Sequence, residues 1–264
     1  MLTFCPVKEK QKMDLKHILT WYLEAGVDEC ISEKAPNRLN EKTKPLVQSI
    51  QRVVSSKTTR TADTFVQQAI QAAKNAQNLS DLDNALKNFT ACGLSKTAAH
   101  LLSGIGVPNP RVLCIIEAPR AKDDKTGALL QDESGQLLLK MLKAIDLDYT
   151  QETYVATLAP WRTPGDRPLS DTEMEQCLPF LKRRIELLNP DILILFGSVL
   201  SGALLGISSI SKAREKAVDY TSEQMSHAIK AFTTFAPTFL LKSPAQKRKA
   251  WEDLQKIQQY LIGL

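Results

Sequence analysis

The chain has 264 residues, of which 43% are hydrophobic and 24% are charged, and its formal net charge is +5. This composition is that of a globular protein with a substantial core, and it excludes a disordered chain or an integral membrane protein. No apolar run approaches the about 20 residues of a membrane span, and the first residues lack the layout of a secretion signal, so we expect a cytoplasmic protein.

The mild positive charge permits a nucleic-acid partner but does not require one, because solubility alone can explain it. The five cysteines are scattered along the chain, and none forms a CxxC pair. An odd, sparse set favours a reducing compartment over a disulfide scaffold and argues against a self-contained zinc knuckle.

The N-terminal third is predicted to be helical and interrupted. Apolar residues at helical spacing predict a helix over residues 14–26, and a stretch rich in Lys, Asn, Pro, Ser and Thr follows it. Two further helices are expected at residues 62–76 and 80–88, the second capped by Ser80. We therefore divide the chain into an N-terminal helix (1–32), a flexible linker (33–61) and an α/β domain (62–264).

The remainder alternates strands with helices. Four apolar, β-branched runs predict strands: "RVLCIIE", "TYVATLA", "DILILFG" and "AFTTFA". Helices are expected over residues 134–145, after the Ser170-x-x-Glu173 capping box, and from Ser243-Pro244 to the end. The predicted fold is a three-layer α/β/α arrangement with a central, mostly parallel four-stranded sheet and an N-terminal helical extension.

Ligands of such sheets bind at the carboxyl ends of the strands. Glu117, residues 157–162, residues 197–198 and residues 236–240 follow the four strands. The sequence therefore predicts one site at this edge.

The order of segments around these strand ends resembles the family 4 type of uracil-DNA glycosylases. The similarity covers about residues 92–254 and includes "IIEAPRAKDDKTGALL", "TYVATLAPWRTPGDRPLSDTE" and "FAPTFLLKSPAQKRKAWEDL". Members of that family flip a uracil out of the DNA stack into a pocket and break its bond to the sugar. The resemblance thus implies a DNA glycosylase of base excision repair that acts on DNA. We also expect the protein to be a monomer.

The resemblance also places the base pocket, and the chain departs from the family pattern there. Leu130 stands at the position of the stacking aromatic ring, Thr157 at that of the base-reading Asn, and Ala236 at that of the catalytic His. No catalytic residue can therefore be named with assurance, and an active site that has lost function is one interpretation. The predicted pocket consists of Glu117, Ala118, Pro119, Leu130, Thr157 and Ala236.

Basic residues beside these segments are candidates for phosphate contacts. The cations that open the last helix oppose its dipole, so helix stability does not explain them, although for a loop arginine alone a solvated charge is the simpler interpretation. Phe239, Leu240 and Leu241 are candidates for a wedge that fills the gap left by a flipped base, with core packing as the alternative. The predicted DNA-binding residues are Arg162, Arg167, Lys242, Ser243, Lys247 and Arg248.

Family 4 enzymes often hold a four-iron cluster on four cysteines, and this chain retains two of those positions. Cys92 and Cys177 match, whereas Phe89 and Trp161 occupy the other two places. Two thiolates cannot supply the four ligands of such a cluster. We therefore expect a buried structural role for both thiols, with no metal and no cofactor.

Two functions remain open from the sequence. The chain is either a glycosylase that removes uracil or another deaminated base from DNA, or a binding module of the same fold that has lost the chemistry. An unrelated nucleotide-binding α/β protein is disfavoured because no glycine-rich phosphate loop follows "RVLCIIE".

Overall fold

A computed structural model describes residues 56–263, with side chains from Thr64 onward. The helix predicted at residues 14–26 and the linker up to residue 55 lie outside the described residues. The helix expected from residue 62 begins earlier, as α1 (Ser56–Asn75), and so includes the end of the stretch predicted as linker.

The second helix, α2 (Leu79–Asn88), begins one residue before the predicted cap. The side chain of Asn78 accepts a hydrogen bond of 2.9 Å from the Asp81 backbone N–H, so Asn78 is the N-cap and the prediction of Ser80 is wrong. Asn caps helices as well as Ser does. A helix that starts here buries Leu82 and Leu86 on one face.

The strands form one six-stranded mixed sheet in the order β1-β3-β2-β4-β6-β5. The four central strands are parallel and correspond to the four predicted strands, so the predicted fold class is confirmed. The two edge strands are antiparallel and were not predicted, because three-residue strands carry too little hydrophobic pattern to read. The strands are β1 (Gly104–Gly106), β2 (Val112–Ile116), β3 (Thr153–Thr157), β4 (Ile192–Phe196), β5 (Val218–Tyr220) and β6 (Ile229–Thr234).

Helices cover both faces of this sheet. In β2, Val112 and Cys114 point into one hydrophobic core, whereas Leu113 and Ile115 point into the other. The alternation follows from the two-residue period of a strand whose faces are both buried. The helices are α3 (Ala121–Thr126), α4 (Glu133–Lys143), α5 (Asp171–Leu188), α6 (Ser198–Leu205), α7 (Ile210–Ala213), α8 (Pro237–Lys242) and α9 (Lys247–Ile262).

Of two predicted helix-start signals, one is confirmed and the other is wrong. The predicted capping box at Ser170 is confirmed, because its side chain accepts from the Glu173 N–H and the Glu173 carboxylate accepts from the Ser170 N–H. The prediction of Ser243 as a helix cap is wrong. Its side chain makes no capping hydrogen bond, and Pro244–Gln246 instead forms a 3-10 turn that leads into α9.

None of the helices within residues 56–263 is both long enough and apolar enough to cross a membrane.

Candidate functional site

The carboxyl ends of the parallel strands meet at one edge of the sheet. Ile116 at the end of β2 lies opposite Thr157 at the end of β3, and the Ala159 N–H donates to the Glu117 carbonyl at 3.0 Å. The Gly197 N–H after β4 donates to the Thr234 carbonyl at 2.9 Å. These contacts bring the predicted loops together on one side of the sheet.

A small pocket of about 40 Å³ opens between these loops. Four residues of the predicted base pocket line it, namely Glu117, Ala118, Leu130 and Ala236. Pro119 is buried and does not line the pocket. Sequence reasoning missed the polar side chains in its wall, which are Arg120, Asp123, Asp132, Ser134 and Thr238.

Glu117 follows the end of β2 and lines the pocket, as the sequence predicted. Its side chain is partly buried, and its Oε1 accepts a long hydrogen bond of 3.4 Å from the Leu169 N–H. Arg120 does not neutralise it, because the Arg120 guanidinium donates instead to the Asp166 carbonyl at 3.2 Å. Glu117 therefore keeps acceptor capacity that faces the pocket.

Asp123 ties the two walls of the pocket together. Only 2% of this residue is exposed, and its carboxylate accepts from the backbone N–H groups of Arg120 at 3.0 Å and Gln131 at 2.7 Å. Burial raises the pKa of the Asp123 carboxyl group. The turn after β2 and the loop before α4 are thus held by one buried side chain.

Leu130 forms a rigid apolar wall in a strained conformation. Its φ angle is +66°, a left-handed value that a non-glycine residue adopts at a cost of about 1–3 kcal/mol. Gln136 holds this conformation by donating from Nε2 to the Leu130 carbonyl at 2.8 Å. Gly135 permits the close approach of α4, because a β-carbon there would lie 2.3 Å from the Leu130 Cα.

The N-terminus of α4 contributes two further polar groups, Asp132 and Ser134. Asp132 caps the helix by accepting from the Gly135 N–H at 2.7 Å, and its other oxygen accepts from the Ser134 hydroxyl at 2.7 Å. The Asp-x-x-Gly spacing at the start of an apolar helix is the signal that could have identified this cap.

Thr157 lies at the predicted edge but faces away from the pocket. It is 3% exposed, and its hydroxyl donates to the Leu102 carbonyl at 2.9 Å. Thr157 lines neither this pocket nor the groove beside it. Its hydroxyl is therefore occupied by the chain that enters β1.

A larger groove of about 230 Å³ adjoins the pocket and shares Glu117, Ala118, Arg120 and Thr238 with it. The cations of Arg120, Arg167 and Lys242 lie along the groove. Its other lining residues are Thr163, Asp166, Pro168 and Phe239. A pocket with apolar and polar walls beside a basic groove is what a polyanion with an extruded planar heterocycle would need.

The predicted DNA-binding residues fall into two groups. The two arginines already bind carboxylates, since Arg162 pairs with Asp166 at 2.6 Å and Arg167 with Glu173 at 2.6 Å. The Arg167 side chain is 45% exposed, and hydrogen bonds from it lower the pKa of Glu173 to about 2.

The second group is open to solvent. Lys242 and Lys247 are exposed, and Arg248 is 90% exposed with a weak contact of 3.6 Å to Glu252. Ser243, which lies between them, is partly buried. These residues follow one another from the end of α8 into the first turn of α9.

The three candidates for a wedge differ in their exposure to solvent. Leu240 is 1% exposed and belongs to the core, in agreement with the alternative of core packing. Phe239 and Leu241 are 42% and 40% exposed on the same short helix.

The four positions matching the iron-cluster ligands converge in one hydrophobic cluster. Cys92 and Cys177 are 0% and 1% exposed, and a hydrogen bond between the two thiols lowers the pKa of Cys92. Phe89 and Trp161 pack in the same cluster, and the Phe89 ring meets Phe180 edge-on at 5.1 Å. Phe89 and Trp161 supply no thiolate where two of the four ligands would be needed, so within the described part of the chain this site does not fit a four-iron cluster.

Comparison with known proteins gives one family and several relatives. The profile of the Uracil DNA glycosylase superfamily matches residues 103–255, more than half of the chain. A type-4 uracil-DNA glycosylase of Thermotoga maritima is 28% identical over 67% of this chain and 91% of its own length. The type-4 enzymes of Archaeoglobus fulgidus and Sulfurisphaera tokodaii are 24% and 27% identical, over 69% and 65% of this chain and 92% and 79% of their own lengths.

Proposed function

The chain belongs to the uracil DNA glycosylase superfamily, and from this membership we propose that it binds DNA and excises uracil or another deaminated base. The observation that carries the proposal is the position of Glu117, whose side chain lines both the small pocket and the basic groove. A carboxylate at that junction lies where the sugar of a flipped nucleotide would pass.

DNA binding in this proposal uses the groove and the start of α9. Arg120 and Lys242 supply cations along the groove, and Lys247 and Arg248 extend them into solvent. Neutralised phosphates release counterions, so binding should weaken steeply with salt. Arg167 takes part only if phosphate displaces it from Glu173.

The pocket would receive the base itself. An enzyme cannot reach the bond between base and sugar inside a duplex, so the nucleotide has to be extruded or supplied in a single strand. Ala118, Leu130 and Ala236 give the pocket apolar walls against which the faces of a base can lie. Ser134 and Thr238 supply hydroxyl groups for its edge.

Chemistry in the pocket would be hydrolysis of the N-glycosidic bond. Water attacks C1′ of the sugar while the bond from C1′ to the base nitrogen breaks (N1 of uracil, N9 of a purine), and the bonding electrons leave with the base as an anion. Glu117 stabilises the positive sugar and takes the proton of the water. Arg120 is the cation in the pocket wall that can stabilise the departing anion. The proton that Glu117 took then passes through water to that anion, which returns Glu117 to its carboxylate form.

The second candidate is a binding module of the same fold that does not release a base. Specific observations favour it, because the pocket presents hydrocarbon at Leu130 and Ala236 and the Thr157 hydroxyl is bonded to the Leu102 carbonyl. Loss of one donor to a developing anion commonly costs about 10²–10³ in rate. Both candidates share the DNA-binding groove and differ only in chemistry.

One assay separates the two candidates. The purified full chain is incubated with single- and double-stranded oligonucleotides that contain uracil, hypoxanthine or xanthine. Abasic sites are then cleaved with alkali, and DNA binding is measured in parallel as a function of salt. Base release that Glu117→Gln abolishes supports the enzyme, whereas salt-dependent binding without release supports the binding module.

A further inference from the structure

Three planar side chains form a stacked column that ends in the groove. The guanidinium carbon of Arg214 lies 4.2 Å from the centroid of the Phe235 ring. The Phe235 ring in turn stacks on the Phe239 ring, with centroids 5.3 Å apart and an angle of 22° between the planes. Phe239 is thus the last member of a column that begins inside the protein.

The inner end of the column is fixed by a buried ion pair. Asp253 is 4% exposed and accepts from the Arg214 guanidinium at 2.6 Å and 3.0 Å. The Thr234 hydroxyl at the end of β6 also donates to Asp253, at 2.8 Å. Because α9, β6 and the chain before β5 all contribute to this network, the Arg214 plane cannot turn without breaking several hydrogen bonds.

The outer end of the column is open. Phe235 is 8% exposed, whereas Phe239 is 42% exposed and lines the basic groove. Core packing therefore explains the position of the Phe235 ring, whereas a large part of the Phe239 ring is in contact with water. An exposed aromatic ring that shares a groove with cations is the arrangement by which proteins bind unpaired nucleobases, whose faces stack on aromatic side chains.

The groove cations complete this arrangement. Lys242 follows Phe239 by three residues on α8, and Arg167 lies in the same groove. The pocket is lined by one aromatic ring, that of Phe196, which is only 2% exposed. The exposed aromatic surface of the site is that of Phe239 in the groove.

We propose that Phe239 is the platform on which an unpaired nucleobase of a DNA strand stacks, with Lys242 neutralising the adjacent phosphate. This inference rests on the proposed function, because it names the form of DNA that the same groove would bind. Stacking on a ring is tolerant of sequence, so the platform would accept any base next to the nucleotide in the pocket. The preferred ligand is therefore single-stranded or locally opened DNA.

The test combines affinity with mapping of the contact. Wild type and variants of the full chain bind a single-stranded oligonucleotide that carries 5-iododeoxyuridine, and the crosslinked peptide is identified by mass spectrometry after irradiation. We expect wild type to crosslink at Phe239. Phe239→Leu should bind about five- to one hundred-fold more weakly, and Phe239→Trp should retain the affinity and the crosslink.

Tyr149→Leu is the matched control. Tyr149 is a partly buried aromatic residue that lies before β3, at the opposite end of the strand from Thr157, so its loss should leave binding unchanged. If Phe239→Leu binds and crosslinks like wild type, the platform is overturned while DNA binding stands. If wild type shows no salt-dependent binding to single- or double-stranded DNA, the proposed function fails together with this inference.

Discussion

Arg167 binds Glu173 through two parallel hydrogen bonds, of 2.8 Å and 2.6 Å, while the same carboxylate accepts the Ser170 N–H at 2.9 Å. One glutamate therefore holds a groove arginine and closes the capping box of α5. A phosphate that binds Arg167 has to compete with this carboxylate, so the contribution of Arg167 to DNA binding depends on the state of Glu173.

Glu173→Gln should lower the free energy of unfolding in a pH-dependent way. The folded pKa of about 2 lies below the unfolded value of about 4.3, so the carboxylate stabilises the fold above about pH 5 and loses that effect as the pH falls towards 2. Gln retains an acceptor for the cap, and solvent screens the exposed arginine, so we expect a difference of about 1 kcal/mol at pH 7. Urea unfolding at pH 7 and pH 3 measures it; a difference that grows on acidification would contradict the assignment.

Lys242→Ala should weaken DNA binding at all sequences alike. Lys242 is exposed and lines the groove, so its loss should reduce the slope of log affinity against log salt by about 1. Lys143→Ala is the control. Lys143 lies in the last turn of α4, at the end of that helix opposite to the groove. Fluorescence anisotropy over a salt series measures both slopes, and equal slopes would remove Lys242 from the interface.

Most of the sheet could be predicted from the sequence, because its four parallel strands are buried on both faces and appear as continuous apolar runs. The edge strands could not be predicted. Gly104–Gly106 and Val218–Tyr220 are three residues long, too short for a hydrophobic pattern to show. Gly104–Gly106 also depends on a partner far along the chain, whereas Val218–Tyr220 pairs with the strand that follows it. Helix starts were less certain for a related reason, since Asn78 and Ser80 are both good caps and only packing selects between them.

The site could be placed at the correct edge, but its interior could not be derived. Thr157 was expected in the pocket by position, and its hydroxyl turns instead to the Leu102 carbonyl, a contact between residues 55 apart in the chain. Asp123 was not identified as a site residue, because its two backbone partners become neighbours only when the loop before α4 folds back. Likewise, a leucine at position 130 gives no sequence signal of the left-handed backbone conformation that this residue adopts.

Gly135→Ala should destabilise the protein and disturb the pocket wall. The new β-carbon would lie 2.3 Å from the Leu130 Cα, and because the clashing atom belongs to the backbone, the loop has to move. We expect a loss of about 1–3 kcal/mol in the free energy of unfolding. Gly93→Ala is the matched control, since nothing lies within 4 Å of its β-carbon, and its effect should stay within about 0.5 kcal/mol. Equal effects of the two substitutions in urea unfolding would contradict the tight packing.

Trp161→Ala should be far more costly than Trp251→Ala. Trp161 is 4% exposed in the cluster with Cys92 and Cys177, whereas Trp251 on α9 is 41% exposed. Removing a buried large side chain costs about 3–5 kcal/mol because a cavity remains, and an exposed one typically costs less than 1 kcal/mol. Denaturant unfolding followed by circular dichroism gives both values. A small effect at Trp161 would mean that the ring does not fill the space beside the two thiols.

Ala236→His should increase base release from uracil-containing DNA if the remainder of the pocket can hold the base. Ala236 lines the same pocket as Glu117, so an imidazole there could donate to the departing base anion, a contact commonly worth about 10²–10³ in rate. Its β-carbon lies 3.4 Å from the position that a β-carbon at Gly197 would occupy, and the residue is partly exposed, so space open to solvent lies beside it for a larger side chain. Ala236→Leu adds bulk without a donor and should give no increase. Single-turnover release at pH 7, measured beside wild type, decides the matter: a gain in the histidine variant alone places the missing donor, whereas no gain despite unchanged DNA binding shows that Ala236 does not face the leaving base.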